Sequence, residues 1–243
     1  MSAIIAGMRA SPITAVLVHS PFLGPASLRP LADALAAHGH PALLLDLRPS
    51  VVAPPVHQVL LGAFADAMSE EELAGEVVLI GHSGAGPLLP AFADALEDTV
   101  TGLVFVDAGL PTPGRSWRDT VPAELYTRLK GMAREGQLPR WHRWFEPDPL
   151  VELVADAELR AEIADEAPEV PVAFLKEPRP DVTWSGPAGY VALSEPYADD
   201  ADAAAGLGWP VRRLGTHHLA PASDPEPVAG AVLAVLAELL RAG

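Results

Sequence analysis

The chain has 243 residues, 49% of them hydrophobic, enough to bury a substantial core as one domain of the larger α/β size. Its 32 acidic and 16 basic side chains give a formal charge of −16, which repels phosphate backbones and anionic lipid, so neither nucleic acid nor a membrane is expected as a partner. The absence of cysteine excludes disulfides and thiolate chemistry; no run of about 18 uncharged apolar residues occurs, and the start MSAIIAGMRASP lacks the character of a secretion signal, so a cytoplasmic protein is expected.

In chain order, the β-branched run 13–19 (ITAVLVH) predicts a strand, and 26–38 has helical spacing through Leu28, Leu31 and Leu35 before Gly39 stops it. A strand is expected at 42–47, a helix over 56–73 through Val59, Leu60, Phe64 and Met68, and a strand at 76–82. A helix from about 86 to 96 then leads to a strand at 101–107. Strands apolar on both faces and alternating with helices call for a mostly parallel central sheet covered by helices on both faces. Residues 109–188 break this alternation with prolines, helical patterns at 122–135 and 148–165, and the tryptophans Trp117, Trp141 and Trp144. An insertion of about 80 residues is too long for a plain loop and reads as a small helical cap, with 1–108 and 189–243 as the core. Strands at 189–194 and 210–214 and helices near 198–206 and 226–241 complete the expected order.

The chemistry concentrates in VVLIGHSGAGPL, residues 77–88, where a strand runs into Gly81-His82-Ser83-Gly84-Ala85 and a helical pattern follows at once. Taken alone, Ser83 would be an ordinary helix N-cap. With the strand before it, the helix after it and a late histidine, the stretch resembles the nucleophile elbow Gly-x-Ser-x-Gly of the α/β-hydrolases, with the small Ala85 in the last place. The resemblance covers nearly the whole chain. It implies an α/β-hydrolase fold with Ser83 held at the carboxyl end of its strand and the Gly84 N–H facing a developing oxyanion.

In the plant methylesterases and hydroxynitrile lyases of that superfamily the catalytic histidine stands seven residues before a proline. His218 with Pro225 fits that spacing and His217 does not. The resemblance offers two positions for the acid: Asp107, placed as in the haloalkane dehalogenases, and Glu195 after the next core strand, displaced by one position because Pro196 stands where the plant esterases carry aspartate. Both remain open. A further departure lies in Val18-His19-Ser20-Pro21-Phe22, which puts Pro21 at the place of the second oxyanion donor. Proline has no N–H, so either Phe22 donates through a shifted turn or the hole is incomplete.

The expected activity is that of a cofactor-independent serine hydrolase. Its partner would be a small apolar acyl substrate (ester, thioester or lactone), with Trp117, Trp141, Trp144 and Phe145 lining the pocket. No phosphate loop or dinucleotide fingerprint is present, so no nucleotide cofactor is expected, and the remaining histidines lack metal-ligand spacing. A lyase, cyclase or dehydratase using His218 for proton transfer, and a non-catalytic binding homologue, are the alternatives on the same scaffold. The oligomeric state is left open.

Overall fold

The computed structural model describes residues 13–71, 73 and 75–242. The amino-terminal stretch read above for a secretion signal lies outside the described residues. Six strands form one parallel sheet: β1 (Ile13–Val18), β2 (Ala42–Leu44), β3 (Glu76–His82), β4 (Val100–Val106), β5 (Ala188–Ala192) and β6 (Val211–Arg213), in the order β2-β1-β3-β4-β5-β6. The chain leaves β1 toward β2 on one side and returns to β3 on the other. Such a reversal opens a crevice at the carboxyl ends of β1 and β3.

Side chains alternate between two apolar layers, as the period of a strand requires. Val16, Val18, Val77, Leu79, Leu103, Phe105 and Tyr190 face one layer; Ala15, Leu17, Val78, Ile80, Val104, Val106 and Val191 face the other. The second layer is covered by α1 (Arg29–Ala37), whose Leu31 and Leu35 are fully buried, and by the long carboxyl-terminal helix Pro225–Ala242. The first layer is covered by α2 (Val56–Ser69), α3 (Leu89–Asp94) and part of the chain between β4 and β5.

That intervening chain contains α4 (Ala123–Met132), α5 (Pro149–Leu153) and α6 (Ala157–Glu166), with short 3-10 turns at Trp117–Thr120, Trp141–Trp144 and Val172–Lys176. Two carboxylates tie it to the core. Glu177 accepts from the N–H groups of Val56 (2.8 Å) and His57 (2.7 Å), two of the orphan donors that start α2. Glu166 accepts from Ala26 N–H at 2.6 Å and pairs with Arg29 at the start of α1. Following β5 come α7 (Ala198–Gly206), then α8 (Ala220–Ser223) and α9 (Pro225–Ala242) after β6.

Several expected boundaries shift, each for a local reason. The strand expected at 42–47 ends at Leu44, and the Leu47 N–H turns to the buried His19 Nε2 at 3.0 Å. The helix expected to reach 73 stops at Ser69, whose hydroxyl donates to Asp66 O while Glu70 and Glu71 oppose the dipole at a carboxyl end. The pattern at 148–165 is two helices, because the Asp156 carboxylate accepts from the N–H groups of Glu158 and Leu159 and so caps a new one. The strand expected at 189–194 loses Leu193 and Ser194, whose N–H groups are drawn to Asp107.

Candidate active site

The turn after β3 is shaped by how closely it approaches its neighbours. Ser83 has a positive φ of 57°, a left-handed conformation that costs a non-glycine residue roughly 1–3 kcal/mol and lifts its side chain out of the sheet. A Cβ at Gly81 would lie 2.8 Å from Leu89, and one at Gly86 would lie 2.6 Å from the Gly109 carbonyl oxygen. The glycines at 81 and 86 therefore let strand, turn and 3-10 helix (Ser83–Leu88) pack, while Ala85 is fully buried without such crowding. Pro87 lacks an N–H, and the regular helix starts only at Leu89, later than the expected position near 86.

Ser83 Oγ lies 2.9 Å from His218 Nε2, and His218 Nδ1 lies 2.7 Å from Asp107 Oδ2. The carboxylate can only accept from Nδ1, so the proton sits there and Nε2 is left to accept from the Ser83 hydroxyl. Asp107, also at positive φ (44°), is fully buried at the end of β4. It accepts from Leu193 N–H (2.8 Å), Ser194 N–H (2.9 Å) and the Ser194 hydroxyl (2.5 Å). Burial pushes its carboxyl up, but the hydrogen bond and charge of His218 and the Ser194 donors outweigh burial and hold it below its ordinary value. The Tyr190 hydroxyl donates to Ala108 O (2.7 Å) and accepts from Ala108 N–H (3.1 Å), fixing the turn that follows.

Of the two acid candidates, the structure brings Asp107 to His218 and leaves Glu195 exposed outside this chain of hydrogen bonds. The position after β5 instead supplies Ser194, a donor to Asp107, and Tyr197, whose ring stacks on His218 at 5.1 Å between centroids. Burial raises the Tyr197 phenol to about 12 against its interaction with Ser83, keeping it a neutral hydroxyl beside the serine. Ser194 and Tyr197, which flank Glu195 and Pro196, were not among the residues expected at the site. Their only signal was their place at the end of a core strand. His217 contacts the Ser223 hydroxyl at 3.3 Å instead of Ser83.

His82 supports His218 from behind. Its Nε2 donates to the His218 carbonyl at 2.9 Å and the two rings lie 4.6 Å apart. Burial, then the charge of His218, pushes the His82 imidazole down to about 3, so it stays neutral. His19 is likewise buried, accepting from Leu47 N–H and donating from Nδ1 to Ser20 O at 2.9 Å, which holds the turn after β1. In that turn Pro21 has no N–H to offer, and the Phe22 N–H makes a long contact of 3.3 Å with Ser20 Oγ. A Cβ at Gly84 would lie 2.9 Å from Ser20 Oγ and 3.4 Å from Phe22, so this turn packs directly on Gly84.

Ser83, Gly84, Phe22 and His218 open into a cavity of about 1020 Å³ that Trp117, Trp141, Trp144 and Phe145 also line. Phe22 packs edge-on against Trp144 (4.9 Å) and Trp117 (6.4 Å). Trp141 lies 6.0 Å from the His218 ring. These aromatics come from the segment between β4 and β5, apart from Phe22. Among the described residues no cluster of three or more acidic or histidine side chains is placed to hold a metal ion, and no helix is long and apolar enough to cross a membrane.

A parallel six-stranded sheet with helices on both faces, a sharp serine turn at its reversal point and a late histidine after the last strand define the class: the chain has the α/β-hydrolase fold. An extracellular α/β-hydrolase from a Paenibacillus species, described as sharing structural and functional homology with tobacco Salicylic Acid Binding Protein 2, superposes with a TM-score of 0.73 at 20% identity, over 92% of this chain and 99% of that one. Tomato methylketone synthase I complexed with 2-tridecanone gives 0.69 at 15% identity (94% and 99% covered), and a pyrethroid hydrolase from Sphingobium faniae gives 0.66 at 19% (91% and 96%). No protein-family model and no curated protein matches the sequence.

Proposed function

We propose that this protein is a serine hydrolase of carboxylic esters or thioesters, working through an acyl-enzyme. The observation that carries the reading is the continuous chain Ser83 Oγ, His218 Nε2, His218 Nδ1, Asp107 Oδ2, with contacts of 2.9 and 2.7 Å. In this reading His218 takes the Ser83 proton as the hydroxyl attacks the carbonyl, then returns it to the leaving group. Asp107, kept ionised by its donors, holds the Nδ1 tautomer and stabilises the imidazolium. The Gly84 N–H, near the start of the 3-10 helix, and the Phe22 N–H receive the oxyanion, the latter giving up its long contact to Ser20 Oγ. Water activated by His218 completes hydrolysis.

Residues 109–188 act in this reading as the cap, whose aromatics favour an apolar acyl or alcohol group. The neighbours whose descriptions record 2-tridecanone and pyrethroid as ligand or substrate class support an apolar occupant for such a pocket. The test is labelling with an alkyl phosphonate followed by peptide mass analysis. Ser83 is expected to carry the adduct, and Ser83→Ala to lose both label and turnover of an aryl ester. Labelling at another residue, or turnover that survives Ser83→Ala, defeats the proposal.

A further inference from the structure

The hydrolase reading employs Ser83, His218, Asp107 and two backbone donors, and leaves a cation in the wall of the same cavity without a role. Arg179 lines that cavity and is only 8% exposed. A guanidinium carries five N–H donors. Here Nη1 donates to Thr112 Oγ1 and Nη2 to Thr120 Oγ1 (3.3 Å). Both acceptors are neutral hydroxyls, and among the described residues no carboxylate forms an ion pair with it. Asp119, the acid that influences it, is already held by Ser116 N–H (3.0 Å), the Ser116 hydroxyl (2.6 Å) and Arg118 (3.2 Å). Burial, then the neighbouring Arg115, pushes the Arg179 guanidinium down to about 10, so it still carries its charge at neutral pH.

A buried charge with no carboxylate in direct contact costs on the order of several kcal/mol, here with burial outweighing the attraction of Asp119, and a neutral amide could brace the same two threonines without that cost. The positive charge therefore asks for a partner that arrives from the cavity. Arg115 lines the same wall and adds a second cation. The other acid of the cavity, Asp200, accepts from Leu110 N–H at 3.0 Å. Burial, with the charges of Asp199 and Asp107, raises its carboxyl above the ordinary aspartate value against the Leu110 N–H.

We propose that Arg179, with Arg115 beside it, is a recognition point for a carboxylate carried by the substrate at a distance from the carbonyl that Ser83 attacks. The substrate class is then an amphipathic ester: an apolar stretch against Trp117, Leu125 and Trp144, ending in a carboxylate that the planar guanidinium can take in a two-point hydrogen bond. This rests on the hydrolase reading for the reaction, though the anion site itself can be read by binding alone.

Two substrate series test it. In one, 4-nitrophenyl half-esters of linear dicarboxylic acids are compared with 4-nitrophenyl esters of the matching monocarboxylic acids. In the other, acetoxybenzoates are compared with phenyl acetates. The intact protein is expected to prefer the anionic member at one chain length or in one ring position, and Arg179→Met to reduce the anionic-to-neutral ratio of kcat/KM by about ten- to hundredfold, the range for a hydrogen bond to a charged group. Arg179→Lys should keep part of that ratio, and salt should lower it. No preference for an anion in either series overturns the inference, as does a loss in Arg179→Met that is equal for both members; if that variant does not fold, the comparison in the intact protein decides. If no ester is turned over and Ser83 takes no phosphonate, the hydrolase reading has failed instead. Calorimetric titration of linear dicarboxylates into intact protein and Arg179→Lys then decides the anion site, with no saturable binding to the intact protein overturning it.

Discussion

At the scale of single residues, the choice between two acids turns on where the chain ends up in space. Asp107 leaves β4 at positive φ and meets His218, while Glu195 faces solvent. Asp107→Asn is therefore expected to lower kcat for an aryl ester by a factor on the order of 10⁴, the size of the loss when a serine protease triad is given the wrong histidine tautomer. Glu195→Gln should leave kcat within about twofold of the parent, as a change at an exposed side chain outside the Ser83, His218 and Asp107 chain does. Steady-state kinetics of both variants checks the pair, and near-equal losses would refute the assignment. The oxyanion turn gives a second expectation. With Phe22 as the second donor, a new N–H at position 21 adds nothing to the hole, so Pro21→Ala should change the ratio of alkyl-ester to aryl-ester turnover by less than about threefold. A rise approaching 10²-fold, the value of one oxyanion donor, would move the donor position to residue 21.

At the scale of elements, the turn between β3 and α3 depends on two close approaches, and they differ in what they would meet. A Cβ at Gly86 would strike the Gly109 backbone carbonyl and the Ala108 Cβ, neither of which can rotate away, so Gly86→Ala should destabilise by about 1–3 kcal/mol or more. Denaturant melts followed by circular dichroism read this directly, and an unchanged midpoint would show that the strand and turn can separate. Glu177→Ala removes the acceptor for both starting N–H groups of α2 and should cost about 0.5–2 kcal/mol in the same measurement. The apolar runs made β1, β3 and β4 legible in the sequence to within a residue or so, because strands buried on both faces have no other composition. Strand ends were less legible: β2 and β5 stop early because Leu47, Leu193 and Ser194 give their N–H groups to a distant histidine and a distant carboxylate. The same non-local pairing left the choice between Asp107 and Glu195 open in the sequence. Ser83 and His218 could be picked out from local motifs, whereas the partnership of Asp107 with Ser194 spans 87 residues of sequence and has no local signature.

At the scale of the whole molecule, buried neutral histidines set the response to acid. Burial is the leading cause that lowers His19, His57, His82, His142 and His217 below their ordinary value of 6.5. In the window below 6.5 the unfolded chain binds protons that the folded chain refuses, so stability falls as pH drops, and for His82 it keeps falling toward about pH 3. Asp107 acts in the same direction at lower pH: its depressed carboxyl contributes stability above the ordinary aspartate range, which is lost as pH falls through its folded value. Tm should therefore drop steadily from pH 7 to pH 4.5, at about 2–4 °C per kcal/mol for a chain of this size. His82→Gln should be less stable at pH 7 but show a shallower slope. A flat profile in the parent by scanning calorimetry would mean that these rings are not held neutral. The placement of Asp107 has a wider consequence. It ends β4 just before the chain departs into residues 109–188, so Ser83, Asp107 and His218 all hang from strand ends or the loop after β6, and the excursion contributes none of them. In the hydrolase reading, then, the reacting groups and most of the aromatic cavity wall are written in separate stretches of the gene. Mutations can accumulate in the excursion, or a foreign one can be grafted in, and shift which molecules are accepted while the reacting groups keep their spacing.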